Sequence, residues 1–103
     1  MKTYNKLIRD KIPAIMTAAG KNFRTHIATD EEYPEKLKEK LLEEVNEFLK
    51  EPCLEELADI LAVLPALLNN LGYSEEQLVE MIDLKSKTRG DFEKRIILET
   101  VED

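Results

Sequence analysis

The chain has 103 residues, with 22 acidic against 15 basic side chains and a formal charge of −7, which suits one small domain, residues 1–103, and is too short for two cores. A hydrophobic content of 43% excludes a disordered chain, and a single cysteine, Cys53, excludes an intrachain disulfide framework. The acidic balance disfavours a nucleic-acid polymer as partner, because such binding rests on neutralised phosphates.

At this length folding buries only about 60–70% of the surface that the unfolded chain exposes, so a second copy is an expected source of stability. The segment Met1 to Asp10 is charged, unlike a secretory leader. The longest uncharged run, Ile60 to Ser74, has 15 residues, short of the roughly 20 that a membrane span needs. A cytoplasmic setting without membrane contact is the expectation. Charge is distributed unevenly: residues 1–24 carry +5, residues 25–84 carry −12, and residues 85–103 hold five charges of each sign. An acidic middle is thus flanked by two ends with basic clusters.

In chain order, a short helix is expected from Pro13 to Ala19, stopped by Gly20. The β-branched stretch Thr25–Thr29 reads as extended. From Pro34 to Glu51 the positions Leu37, Leu41, Leu42, Val45, Phe48 and Leu49 recur at helical spacing and predict a first long helix. Pro52 interrupts it and suits the first turn of a second, running from Pro52 or Cys53 to Leu71 with Gly72 as its stop. Pro65 inside this helix deprives the Leu61 carbonyl of its donor and predicts a kink. Ser74-Glu75-Glu76-Gln77 is a capping-box pattern that opens a further helix towards Lys87. Arg95–Val101 again reads as extended. The expected fold is mainly all-α: an antiparallel helical hairpin and further helices in an oligomeric bundle, with short extended segments near the termini.

The second long helix is apolar around nearly its whole circumference, yet Glu56 and Asp59 project from that surface. An isolated ionised carboxylate tolerates such burial poorly, since its desolvation has to be offset by a cation or by protonation. On the first long helix Glu44 and Glu47 stand three residues apart beside the apolar stripe. If the two helices fold back as a hairpin at Glu51-Pro52, Glu47 comes level with Glu56 and Glu44 with Asp59, about 7 Å and 11 Å from the turn. Like charges about 4 Å apart repel by roughly 4 kcal/mol at an effective dielectric near 20, so four converging carboxylates destabilise the chain unless a cation joins them. Oxygen-only donors select a hard ion, Mg²⁺ or Mn²⁺. The competing reading is a solvated face with i,i+4 ion pairs, since the same helix carries Glu39, Glu43 and Glu51 among Lys36, Lys38, Lys40 and Lys50. The two acids set in an apolar surface, and the matched levels, favour the metal.

Glu43-Glu44-x-x-Glu47 followed by Glu56-x-x-Asp59 resembles the EExxE…ExxD signature of the MazG-like, all-α nucleoside triphosphate pyrophosphohydrolase superfamily. The opening Tyr4-Asn5-Lys6-Leu7-Ile8-Arg9-Asp10-Lys11-Ile12-Pro13 and the closing Arg89-Gly90-Asp91-Phe92-Glu93-Lys94-Arg95-Ile96 resemble a subgroup labelled phosphoribosyl-ATP pyrophosphohydrolase-like. The eight-residue spacer between Glu47 and Glu56 is shorter than is usual there, and Asp91 stands where the subgroup usually has a second glycine. The resemblance implies a homo-oligomer, commonly a dimer, and Mg²⁺-dependent cleavage of a nucleotide's α–β phosphoanhydride to a monophosphate and pyrophosphate. By position it gives Glu44, Glu47, Glu56 and Asp59 the metal-ligand role.

Such hydrolysis needs a positioned water, neutralised phosphate oxygens and support for the leaving pyrophosphate. Either Glu43 or Glu47 is the expected proton acceptor. The basic residues that would hold phosphates are Lys6 and Arg9 at one end and Lys85 and Arg89 at the other, with Lys11, Lys87 and Arg95 in the same segments. Lys85 and Arg89, a helical turn apart, are the favoured pair, although cations there also suit the helix dipole. Tyr4, Tyr33 or Phe92 could stack on a base, whereas His26 and Cys53 have no partner for metal or nucleophilic work. Two other readings stand beside the nucleotide pyrophosphohydrolase. One is a phosphoribosyl-ATP pyrophosphohydrolase; the other is a non-catalytic helical dimerisation or regulatory module whose acidic groove takes a basic partner.

Overall fold

In the computed structural model, which describes residues 2–102, the chain forms four helices and, among the described residues, no strand. They are α1 (Ile12–Ala18), α2 (Glu32–Lys50), α3 (Leu54–Leu71) and α4 (Glu75–Arg89). The all-α expectation holds. Met1 and Asp103, part of the expected domain 1–103, lie outside the described residues.

Local chemistry sets most boundaries. Pro13 occupies the first turn of α1, where no N–H is needed. The first turn of α2 is organised by Thr29, whose hydroxyl accepts from the Glu32 N–H at 3.1 Å and whose carbonyl accepts from the Tyr33 N–H at 2.9 Å. The helix therefore starts two residues before Pro34. Pro52 precedes the N-terminus of α3, which begins at Leu54, and α3 stays helical through Pro65. Its end is a Schellman closure: Gly72 is left-handed at φ 86°, with Tyr73 N–H donating to Leu68 O at 2.9 Å and Gly72 N–H to Asn69 O at 3.2 Å. The capping box forms in full, Ser74 and Gln77 each closing the other's backbone N–H, at 3.1 and 2.8 Å. Thr25–Thr29 and Arg95–Val101 are irregular, without strand pairing.

Only α2 and α3 pack extensively against each other, as the antiparallel hairpin expected from the turn at 51–53. Their seam holds Leu37 (1% exposed) and Val63 (7% exposed), with Leu41, Val45, Phe48 and Ile60 half-buried around them. Leu42 and Leu49, expected on the apolar stripe, face solvent instead, as do Leu54, Leu57 and Leu61. The uncovered side of α3 is thus the 54/57/61 face. A hairpin covers one side of each helix, and α4 leaves α3 at 109° without packing back along it.

The result is an open shape. The radius of gyration is 18.3 Å, with extents of 58 × 31 × 27 Å, where a compact chain of this length has about 13 Å. Its accessible surface is 9845 Å² against about 6,000 Å² for a folded monomer of this mass. Among the described residues, no single helix is long and apolar enough to cross a membrane.

Candidate metal centre

The hairpin brings Glu44, Glu47, Glu56 and Asp59 together, each offering a carboxylate oxygen within 4.8 Å of the others. This is the set read from the sequence, and its cause is the short connection, which puts Glu44 opposite Asp59 and Glu47 opposite Glu56. Glu44 is 6% exposed, on the same face of α2 as Leu37 and Leu41, and Glu47 sits at the solvent edge. Glu56 and Asp59 are half-buried on the face of α3 that carries Ile60 and Val63.

Two oxygens of this set, Glu44 Oε2 and Glu56 Oε2, are buried and have no hydrogen-bond partner. A buried carboxylate oxygen without a donor costs free energy that native proteins rarely leave uncompensated. Burial pushes the Glu44 carboxyl above its ordinary value, and the charges of Glu47 and Asp59 add to that, against the pull of Lys40. Glu56 is also pushed up, first by desolvation and then by the charge of Glu47 and a hydrogen bond with it. Both shifts describe negative charge short of counter-charge. The donors are all oxygen, and the four acids could hold a metal ion.

Three cations border the set. Arg9 Nη2 donates to Asp59 Oδ1 at 2.7 Å, and Lys6 Nζ donates to Glu43 Oε1 at 2.9 Å. These contacts bring the basic arm before α1 against α2 and α3, where Lys36 Nζ also donates to the Asn5 carbonyl at 2.7 Å. Lys40 places its ammonium 2.7 Å from Glu43 Oε2 and 3.1 Å from Glu44 Oε1. Burial alone would lower the Lys40 ammonium, but its bonds to both glutamates outweigh this and raise it. Lys40 was not legible as a site residue, since it reads as one more lysine on a solvated face. Its positions three and four before Glu43 and Glu44 were the available signal.

The remaining site residues divide clearly. Glu43 stands outside the four-carboxylate set; partial burial alone would raise its carboxyl, but hydrogen bonds from Lys40 and Lys6 hold it below the ordinary range. Lys85 and Arg89 do not join the cluster within the chain. Along the helix axes roughly 18 Å of α3 separates Asp59 from Leu71, and roughly 15 Å of α4 then separates Glu75 from Lys85. Tyr4 lines a cavity of about 310 Å³ between the arm and α2, together with Lys6, Lys36 and Lys40. Phe92 is almost fully exposed. Asp91 accepts a hydrogen bond from Ser86 Oγ at 2.7 Å, just past the end of α4. His26 pairs with Glu32 at 3.0 Å, away from the metal set.

The chain matches no protein-family model, and neither a curated protein nor a solved structure shows significant similarity to it.

Proposed function

We propose that the chain is a divalent-metal-dependent nucleotide pyrophosphohydrolase of the MazG-like kind, cleaving the α–β phosphoanhydride of a nucleoside triphosphate to a monophosphate and pyrophosphate. The observation that carries this is the four-carboxylate set with two buried, unpartnered oxygens and cations at its rim. An all-oxygen set suits Mg²⁺ or Mn²⁺, held by Glu44, Glu47, Glu56 and Asp59. When bound there, such an ion supplies charge for phosphate oxygens and acidity for a water.

The chain's own residues divide the remaining work. Glu47, exposed and without an ion pair among the described residues, accepts the proton of the attacking water. Glu43 is tied by Lys6 and Lys40 and serves as the anchor of the basic arm. Lys6 and Arg9 supply positive charge for the phosphates.

The same reading includes a homodimer or a dimer of dimers. The excess of about 3,900 Å² of surface over that of a folded monomer, and the exposed Leu42, Leu49, Leu54, Leu57 and Leu61, fit burial against a second copy. In that assembly Lys85 and Arg89 act at the cluster of the other copy, having none within reach on their own chain.

The test is product release from a panel of nucleoside triphosphates with and without Mg²⁺. Pyrophosphate appearing only with the metal is expected. Orthophosphate as the first product, or no turnover of any nucleotide, would leave the regulatory-module reading ahead.

A further inference from the structure

The two contacts that the basic arm makes with the acidic face differ in kind. Lys6 bonds Glu43, which lies outside the four-carboxylate set and is held a second time by Lys40 at 2.7 Å. Arg9 bonds Asp59, which belongs to the set, at 2.7 Å. A guanidinium stays protonated at any working pH, so Arg9 cannot leave this carboxylate by losing its charge. A divalent cation entering the set therefore meets a fixed positive charge on one of its donors. The two positive charges repel each other across Asp59, so the more mobile one yields.

The structure shows which one can move. Arg9 keeps 60% of its side chain exposed, and among the described residues Asp59 is its only ion-pair partner. Lys40 is 83% buried at the side chain and bonded to two glutamates of its own helix. The arm is also fixed without Arg9, through Lys36 on the Asn5 carbonyl and Lys6 on Glu43. Arg9 can swing away while the arm stays in place. Its planar fork of donors fits phosphate as well as carboxylate, so the exchange exchanges one partner for another of matching geometry.

We propose that Arg9 is an exchangeable counter-ion, which holds Asp59 in the metal-free chain, is displaced by the incoming divalent cation, and then binds a phosphate of the metal-bound nucleotide. The proposal rests on the metal reading above and adds an order to it: metal first, then a tighter grip on the polyphosphate. Metal and nucleotide are thereby coupled through a single side chain.

Mn²⁺ binding followed by electron paramagnetic resonance, on the full chain without nucleotide, tests the first half. Arg9→Gln should bind Mn²⁺ at least threefold more tightly than the wild type, and Arg9→Lys, which keeps the charge, should stay within twofold of it. A titration of the Mn²⁺-loaded proteins with α,β-methylene-ATP tests the second half, where Arg9→Gln should bind at least tenfold more weakly. Equal or weaker Mn²⁺ binding by Arg9→Gln would overturn the proposal alone, since Arg9 would then orient Asp59 and not compete for it. A wild-type chain that holds no Mn²⁺ would overturn the metal reading and this one with it.

Discussion

Lys40 precedes Glu44 by one turn of α2 and sets its ammonium 3.1 Å from Glu44 Oε1, while Glu44 Oε2 stays buried without a partner. One lysine thus compensates half of a carboxylate that three other acids crowd. Glu44 and Glu56 are both pushed above their ordinary values, so the native chain binds protons there more tightly than the unfolded chain does. Stability of the metal-free protein should then fall as pH rises from about 4.5, the ordinary glutamate value, through the raised values. Thermal melts in a chelator between pH 4.8 and 7 should show the midpoint dropping with rising pH, and Glu44→Gln should flatten that slope. Glu43 and Glu32, both held low, act in the opposite direction and only below that window. A midpoint that climbs steadily with pH would contradict the account of Glu44.

A divalent ion supplies the counter-charge that protons supply at low pH. Mg²⁺ or Mn²⁺ at ten times its dissociation constant should stabilise the fold by about 1.4 kcal/mol, if it binds the native state alone. For a domain of this size that is roughly 6–11 °C in the melting midpoint. Glu56→Gln should lose the rise while keeping the helical circular dichroism. An equal rise in both proteins would take Glu56 out of the site.

What was legible in the sequence follows from what is local. The capping box at Ser74, the glycine stop at Gly72 and the interruption at Pro52 are decided within four residues, and the structure keeps all three. The level matching of Glu44 with Asp59 needed only a short connection and an axial rise. Which side of α3 is covered is not local: Leu54, Leu57 and Leu61 are as apolar as Ile60 and Val63, and only the partner helix chooses between the two faces. Of the face Leu64, Leu67, Leu68 and Leu71, which the pattern of apolar residues marks as uncovered, the first three are half-covered and Leu71 is exposed. The hold of Arg9 on Asp59 spans 50 residues, and no periodicity encodes it.

The exposed 54/57/61 face is the surface proposed for assembly with a second copy. Light scattering at micromolar concentration should give at least twice the 11.9 kDa of one chain. Leu61→Glu would place a charge in that interface, where desolvating it is costly, and should lower the mass towards one chain and the melting midpoint with it. A wild-type monomer with an unchanged Leu61→Glu midpoint would remove the interface.

The position of Lys85 makes the oligomer testable through catalysis. Asp59→Asn removes a metal ligand and should lower turnover at least tenfold, about 1.4 kcal/mol in the barrier. Lys85→Ala should raise KM more than it lowers kcat, as a contact shared by ground and transition states does. Because α4 does not pack extensively on the helices that carry the cluster, Lys85 should act on the other copy. Mixing the two impaired variants then creates heterodimers in which one site carries both defects and the other carries neither. Equal amounts, refolded together, should recover about a quarter of the wild-type rate at low substrate, since half of the dimers are mixed and each has one intact site of two. If Lys85 served its own chain, every mixed site would keep one defect and no rate would return. A rate at low substrate above the mean of the two variants alone would place the Lys85 contact across the interface; its absence would return Lys85 to the role of a helix-terminal cation.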